Sequence, residues 1–320
     1  MDSGALRLLV AAVRYEAIDV LSFELCLPDR SELPAFAAGA HIDLQLANQM
    51  VRSYSLVNSQ TERHRYVIAV HKSPKSLGGS RFMHEDLRPG AIVSVSPPRN
   101  NFRLVEDASS SIFITGGIGV TPVLCMLDRL TSLERPWVLH YCSRTRQDAA
   151  FLDQLRRLAA QGGGAIHFNF DQGRPENRLD LRAVAEMAPQ DAHLYCCGPL
   201  PMLEAFEAAC VSRAPELVHV EYFAAKQAPS VEGGFVVELA RSKRTVEVPR
   251  GMTILDALLE IGLKVSYSCA KGICASCETR VLDGIPDHKD LVLTRAEQAG
   301  NKVMMICCSG SKTPKLVLDL

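Results

Sequence analysis

Three cysteines, Cys269, Cys274 and Cys277, fall within nine residues of this 320-residue chain, and Cys307 follows after a gap of 29. The first three share one loop of small and polar residues, Ser266-Tyr267-Ser268-Cys269-Ala270-Lys271-Gly272-Ile273-Cys274-Ala275-Ser276-Cys277. Two irons bridged by sulfide need four thiolates at fixed positions. A Cys-x4-Cys-x2-Cys loop wraps one edge of that rhomb, and a distant cysteine closes it. Small residues let backbone N–H groups point at the sulfurs, which lowers the charge cost of a reduced cluster. Zinc also accepts four thiolates, but structural zinc usually takes two short Cys-x2–4-Cys pairs, and here one close pair is followed by a lone cysteine. Cys308 competes with Cys307, because neighbouring strand residues point to opposite faces; spacing does not separate the two. The pattern predicts a plant-type [2Fe–2S] site at the C-terminal end of the chain.

The other cysteines, Cys26, Cys125, Cys142, Cys196, Cys197, Cys210 and Cys308, read as small buried hydrophobes, Cys197 excepted. An odd total of eleven without an export signal fits a reducing compartment, so a cytoplasmic location is expected. With 47% hydrophobic and 22% charged residues, the chain can bury the cores of two or three domains. Its net charge of −1 argues against nucleic acid or a membrane surface as partner. No apolar run reaches the ~18–20 residues of a membrane span. The apolar patch at 8–13 reads as a first β-strand rather than a leader.

Up to residue 104 the pattern is of short strands, such as 22–27, 41–46, 66–71 and 91–95, punctuated by proline and glycine. That spacing predicts a small antiparallel barrel. Over 105–224, apolar strands at 111–115, 137–142, 166–170 and 193–197 alternate with helical stretches at 122–130, 149–160, 181–187 and 201–209. This alternation predicts an α/β domain with a parallel sheet covered on both faces. Residues 225–233 form a polar linker with one proline, ending at the adjacent Gly233 and Gly234. A third domain, 234–320, begins with a hairpin, continues with a helix N-capped by Thr253, and carries a capping box at Thr294-x-x-Glu297.

Two further motifs carry chemistry. Gly116-Gly117-Ile118-Gly119-Val120-Thr121-Pro122 joins a strand to a helix, where backbone N–H groups and the positive end of the helix dipole favour a pyrophosphate. Tyr195-Cys196-Cys197-Gly198-Pro199 ends a later strand on the same edge of a parallel sheet, the edge at which ligands bind. In the barrel segment, Arg52-Ser53-Tyr54-Ser55 places Arg52 and Tyr54 on one face of a strand and the serines on the other. A cation, an aromatic plane and a hydroxyl so close together suit a phosphate and a flat ring. Leu77-Gly78-Gly79-Ser80 supplies a loop able to nest a phosphate.

These motifs, with the cysteine pattern ending Cys307-Cys308-Ser309, resemble in combination and order the phthalate dioxygenase reductase family, which includes vanillate O-demethylase reductases. The resemblance spans essentially the whole chain. It implies a ferredoxin-reductase type antiparallel β-barrel that binds FMN, a parallel-sheet NAD-binding domain and a C-terminal α+β β-grasp ferredoxin domain. It implies that Arg52, Ser53, Tyr54 and Ser55 contact the flavin, with Ala69, Val70 and His71 on the next strand, and that Gly78, Gly79 and Ser80 take the FMN phosphate. Thr121 and Phe223 would approach the flavin, while Gly116, Gly117 and Gly119 would carry the dinucleotide. Ser55 and Cys197 are the implied catalytic positions, Cys197 beside the nicotinamide. The family pattern selects Cys307 over Cys308 as the fourth cluster ligand.

The parts also belong together chemically. NADH gives up two electrons as a hydride and a [2Fe–2S] centre accepts one, so both on one chain call for a flavin between them. No nucleophile–base constellation is evident, and His41, His71, His84 and His288 read as surface or packing residues. The resemblance points to a terminal Rieske-type oxygenase as a transient protein partner. From Gly234 onward there are twelve Lys/Arg and ten Asp/Glu, so any complementary docking patch must be local. Arg144 and Arg146 would suit the 2′-phosphate of NADPH and Asp148 the ribose hydroxyls of NADH; the resemblance favours NADH. The alternative function is a redox-sensing flavin/iron–sulfur regulator without an enzymatic acceptor.

Overall fold

The computed structural model describes residues 4–46, 50–74 and 78–320. The chain divides into two compact units, one ending at Glu221 and the other spanning Tyr222–Leu320.

The first unit opens with β1 (Leu6–Ala17), β2 (Val20–Cys26), β3 (His41–Gln45), β4 (Val51–Ser55), β5 (Tyr66–His71), α1 (Gly79–Glu85) and β6 (Ile92–Val95). Alternating apolar residues, such as Leu8 and Val10, Ile42 and Leu44, and Ile68 and Val70, are buried inside a six-stranded antiparallel sheet of order β4-β3-β6-β1-β2-β5. The sheet curls until its ends meet. Leu56 bridges Ile68, and the Val57 N–H donates to the Val67 carbonyl at 2.9 Å.

The unit continues with β7 (Ser111–Gly116), α2 (Thr121–Ser132), β8 (Trp137–Ser143), α3 (Leu152–Ala160), β9 (Gly164–Phe170), α4 (Leu181–Met187), β10 (His193–Cys197), α5 (Leu200–Ala209) and β11 (Val218–Glu221). Its five strands are all parallel, in the order β11-β10-β7-β8-β9. Strand order reverses between β7 and β10, and such a reversal opens a crevice at the carboxyl ends. The two predicted ligand loops, 116–122 and 196–199, flank that crevice.

Helix α2 buries five residues in succession, Val123 to Leu127, so it is covered on all sides. One core runs from the barrel into the parallel sheet. Phe102 meets Tyr195 edge-on at 5.8 Å, and Tyr195 Oη accepts the Val105 N–H at 2.9 Å. Helix α3 starts later than the apolar spacing predicts. Phe151 adopts φ 62°, outside helical backbone, and the Ala150 N–H donates to Tyr141 Oη at 3.0 Å.

The second unit contains β12 (Phe235–Leu239), β13 (Arg244–Val248), α6 (Ile254–Glu260), β14 (Glu278–Asp283), β15 (Pro286–Asp287), α7 (Arg295–Gly300), β16 (Val303–Met305), β17 (Gly310–Ser311) and β18 (Lys315–Leu318). Its main sheet has the order β13-β12-β18-β14-β16, with β12 parallel to β18 and the other pairs antiparallel. Ile254, Leu255 and Leu258 of α6 join Val237, Leu239, Leu316 and Leu318 in its core, a sheet grasping one helix. Both helices open with capping boxes, Thr253 with Asp256 and Thr294 with Glu297. The end of the polar segment 225–233 is tied to this unit, since the Ser230 N–H donates to the Cys308 carbonyl at 2.7 Å and the Val231 carbonyl accepts from Gly251 at 2.8 Å.

Candidate functional site

The cluster loop takes its shape from three left-handed residues, Ala270, Gly272 and Ala275, with φ of 50°, 69° and 61°. Such residues turn backbone N–H groups inward as an anion nest. The Lys271 N–H donates to Cys269 Sγ at 3.3 Å, the Cys269 N–H to Cys274 Sγ at 3.5 Å, and the Gly272 N–H to the Cys307 sulfur. Position 272 has room only for glycine, because a Cβ there would run into Cys308 Sγ and stand 3.1 Å from Asp290 Cα.

The four sulfurs fall into two bonded pairs, Cys269 with Cys274 and Cys277 with Cys307. Donation from Cys269 pulls the Cys274 thiol down to about 6, and donation from Cys277 and then Cys308 pulls Cys307 down to about 4. The Cys308 thiol is turned to the Met305 carbonyl at 3.7 Å. The seven cysteines outside the ligand set are all buried and free.

At the carboxyl edge of the parallel sheet, the three turn glycines divide by environment. A Cβ on Gly116 would stand 2.6 Å from Pro199 Cδ, and one on Gly119 would stand 2.6 Å from the Cys197 carbonyl carbon. Both glycines therefore let the turn pack on the 196–199 loop. Gly117, with φ 54°, faces open space. Thr121 is buried and its Oγ1 donates to the Ile118 carbonyl at 2.9 Å. Cys197 is fully buried, and burial, followed by Glu221, pushes its thiol well up. It is a neutral thiol, not an activated nucleophile. Asp148 Oδ2 is engaged by Thr145, by its N–H at 3.0 Å and its hydroxyl at 2.6 Å, while Arg144 and Arg146 are exposed.

On the barrel, β4 and α1 bring Arg52 to Gly79, where a Cβ would stand 2.7 Å from Arg52 Nε. Gly79 and Ser80 lie in the first turn of α1 rather than in a loop, with Gly78 before them at φ 104°. Leu77 lies outside the described residues. Ser80 Oγ accepts the Ser73 N–H at 3.2 Å, and His84 ties α1 to β5 through the Val70 carbonyl at 2.8 Å. On the other face of β4, Ser53 donates to Asp43 at 2.6 Å, Asp43 pairs with Arg99, and Ser55 is buried opposite His41. Burial pushes the Tyr54 hydroxyl up to about 12, so it stays a neutral donor. Ala69 and Val70 are buried on β5 and His71 is exposed. Phe223 belongs to the second unit and is 39% exposed.

Residues 237–311 match the family described as a 2Fe-2S iron-sulfur cluster binding domain, and residues 113–208 match the oxidoreductase NAD-binding domain. The phenoxybenzoate dioxygenase subunit beta of Ectopseudomonas oleovorans is 55% identical over 97% of this chain and 96% of its own length. The solved structure of phthalate dioxygenase reductase is 36% identical with a TM-score of 0.74, over 100% of this chain and 99% of that one. The chain belongs to the phthalate dioxygenase reductase family. The tetrachlorobenzoquinone reductase of Sphingobium chlorophenolicum, 45% identical over 97% of each chain, is a further relative. As a member of the phthalate dioxygenase reductase family, the chain is an oxidoreductase with an NAD-binding and a 2Fe–2S domain. Among the described residues, no helix is long and apolar enough to cross a membrane.

Sequence reasoning missed one residue of this family member's nucleotide edge. Glu221 ends β11 beside Cys197 of β10, which in turn pairs with Thr115 of β7. Glu221 Oε2 and Thr115 Oγ1 are both buried without a hydrogen-bond partner among the described residues. Burial pushes the Glu221 carboxyl from its ordinary 4.5 up to about 8. The folded chain thus holds a proton there that the unfolded chain releases. That contribution to stability is full below 4.5 and is lost as pH rises towards 8, with a slope of about 1.4 kcal/mol per pH unit. Glu221→Gln is expected to flatten that slope and to exceed the native protein in stability at pH 8. Urea unfolding at pH 5 and pH 8 measures it; an unchanged slope in the variant would refute the assignment.

Proposed function

We propose that this chain is the NADH-dependent reductase component of a Rieske-type aromatic oxygenase or demethylase. In this reading, electrons pass from NADH to FMN and then singly through a [2Fe–2S] cluster to the terminal oxygenase. The observation that carries it is the presence of an NAD-binding domain and a 2Fe–2S domain on one chain. Bound FMN would supply the conversion of a hydride into single electrons.

The chain's own residues then bind, orient and exclude water. Arg52, whose guanidinium side chain packs on Gly79, holds the FMN phosphate with Gly78 and Ser80. Tyr54, Ser55 and the β5 residues Ala69, Val70 and His71 line the ring, with Ser53 bracing β4 through Asp43. Thr121 faces the flavin from the start of α2, its hydroxyl held by Ile118. Gly116 and Gly119 bring the turn against Cys197, and Gly117 is the open approach for the dinucleotide. The unpartnered Thr115 hydroxyl and the protonated Glu221 carboxyl suit the two ends of a nicotinamide carboxamide, an acceptor and a donor. Cys197 packs between them as a neutral thiol. Cys269, Cys274, Cys277 and Cys307 would hold the cluster as thiolates.

A visible spectrum of the purified protein before and after anaerobic NADH tests the path. The flavin and cluster bands are both expected to bleach; flavin bleaching with the cluster bands intact would break the proposed route. Slow reduction with no turnover of a one-electron acceptor would favour the regulatory alternative. A second reading, direct reduction of a quinone, draws on the tetrachlorobenzoquinone reductase relative. It predicts NADH-driven reduction of a halogenated benzoquinone by the chain alone.

A further inference from the structure

The second unit holds a polar cavity of about 360 Å³. His288, Arg295, Gln298, Asn301 and Lys312 line it, with Ile285 as an apolar wall. No carboxylate lines it among the described residues. The His288 side chain is 7% exposed, and neither ring nitrogen has a hydrogen-bond partner among the described residues. Both nitrogens are closed off from solvent and Nδ1 faces the Asp290 carboxylate at 3.5 Å, so the imidazole packs behind the cavity rather than reaching into it.

The chemistry of the lining selects an anion. Two cationic side chains, Arg295 and Lys312, supply the charge of the lining, while the Gln298 and Asn301 amides already donate to the Asp290 carbonyl at 3.4 Å and the Ala299 carbonyl at 3.3 Å. The acid of the lining helix itself, Glu297, is drawn back onto Thr294, accepting its N–H and hydroxyl, each at 2.8 Å. Ile285, 47% exposed, suits the methylene stem of an acidic side chain better than a bare inorganic ion.

The cavity wall is bonded to the cluster loop. Asp290 Oδ2 accepts the Val292 and Leu293 N–H groups at 3.3 and 2.9 Å, and the Leu291 N–H donates to the Gly272 carbonyl at 2.9 Å. Gly272 lies between Cys269 and Cys274, so the segment 290–291, which the lining Gln298 reaches through the Asp290 carbonyl at 3.4 Å, is hydrogen-bonded to the cluster loop. The Lys289 N–H adds a bond to Ser309 Oγ at 3.3 Å, just beyond Cys308.

We propose that this cavity is a carboxylate socket in which an acidic side chain of the electron-accepting protein docks, setting that partner against the cluster loop. The proposal rests on the reductase reading above and supplies the local patch that the near-balanced charge of the domain requires.

Calorimetric titration of the full-length, cluster-loaded protein with N-acetyl-tetraglutamate amide at low ionic strength tests it. One peptide per chain is expected. Arg295→Gln/Lys312→Gln should weaken binding about fivefold or more, and the same charge change at the exposed hairpin, Lys243→Gln/Arg244→Gln, by less than about twofold. No binding to the native protein, or equal weakening in both variants, overturns the socket. So does inorganic phosphate that displaces the peptide at equal concentration, which marks a small-anion site. Anaerobic bleaching by NADH, read on the same samples, keeps the two proposals apart. Normal bleaching without peptide binding removes the socket alone, and peptide binding without cluster bleaching removes the electron path alone.

Discussion

Cys307→Ser is expected to strip the cluster bands from the visible spectrum while leaving NADH reduction of the flavin intact, and Cys308→Ser to keep both. The two thiols are neighbours, and both are buried. Only Cys307 pairs with Cys277 and receives the Gly272 N–H, whereas Cys308 turns to the Met305 carbonyl. The Cys308 sulfur lies beside Cys307 but is turned to the Met305 carbonyl and packed against Gly272, so it is expected not to take the place of Cys307. One-electron reduction of cytochrome c should then fall by roughly 100-fold or more, about 2.7 kcal/mol on the barrier scale. The hydride half-reaction should change little, because every residue proposed for it except Phe223 lies in the first unit. Retention of the cluster in Cys307→Ser and its loss in Cys308→Ser would reverse the assignment.

The second large effect is expected at Gly119. An alanine Cβ there would stand 2.6 Å from the Cys197 carbonyl carbon and 2.9 Å from the Gly198 nitrogen, both backbone atoms that no rotamer change can move. Relief requires the glycine turn to lift away from β10, at a cost of about 3 kcal/mol, the upper range for overpacking. The displaced turn should also raise the KM for NADH, because Gly117 moves with it. Gly117→Ala is the control. It meets no atom within 4 Å, and its φ of 54° costs an alanine only about 1 kcal/mol. Trp137, the chain's single tryptophan, is buried in β8, so its fluorescence during urea unfolding reports on the first unit alone. Equal destabilisation by the two substitutions would show that Gly119 does not set the turn.

Both predictions bear on how far the site is legible from sequence. The strand at 66–71 coincides with β5, and the helix at 181–187 coincides with α4. These elements are specified by a period of two or of about four residues and by nearby caps, all of them local. The capping box at 294–297 forms as its spacing implies. The start of α3 was not legible, because the left-handed turn at Phe151 carries no glycine to announce it. Glu221 was not legible either. An acid at the end of a strand looks like solvent-facing polarity until the fold sets it beside Cys197 of β10 and buries it.

The sequence by itself determined the chemistry of the chain. Four cysteines at a cluster spacing, a glycine turn between strand and helix, and Arg52-Ser53-Tyr54-Ser55 on a strand are local patterns; the cysteines name their ligand class by spacing, and the others do so through the family resemblance they carry in combination. The tertiary structure decided which atoms are free to act. It turned the Cys308 sulfur to Met305, packed Gly116 and Gly119 against the 196–199 loop while leaving Gly117 open, buried Glu221 Oε2 without a hydrogen-bond partner among the described residues, and set His288 against Asp290. The physical reason is that burial and desolvation are set by segments far apart in the chain. His288, for example, shares its cavity with residues from α7 and from the strand end at Lys312, and no period in the sequence records that meeting.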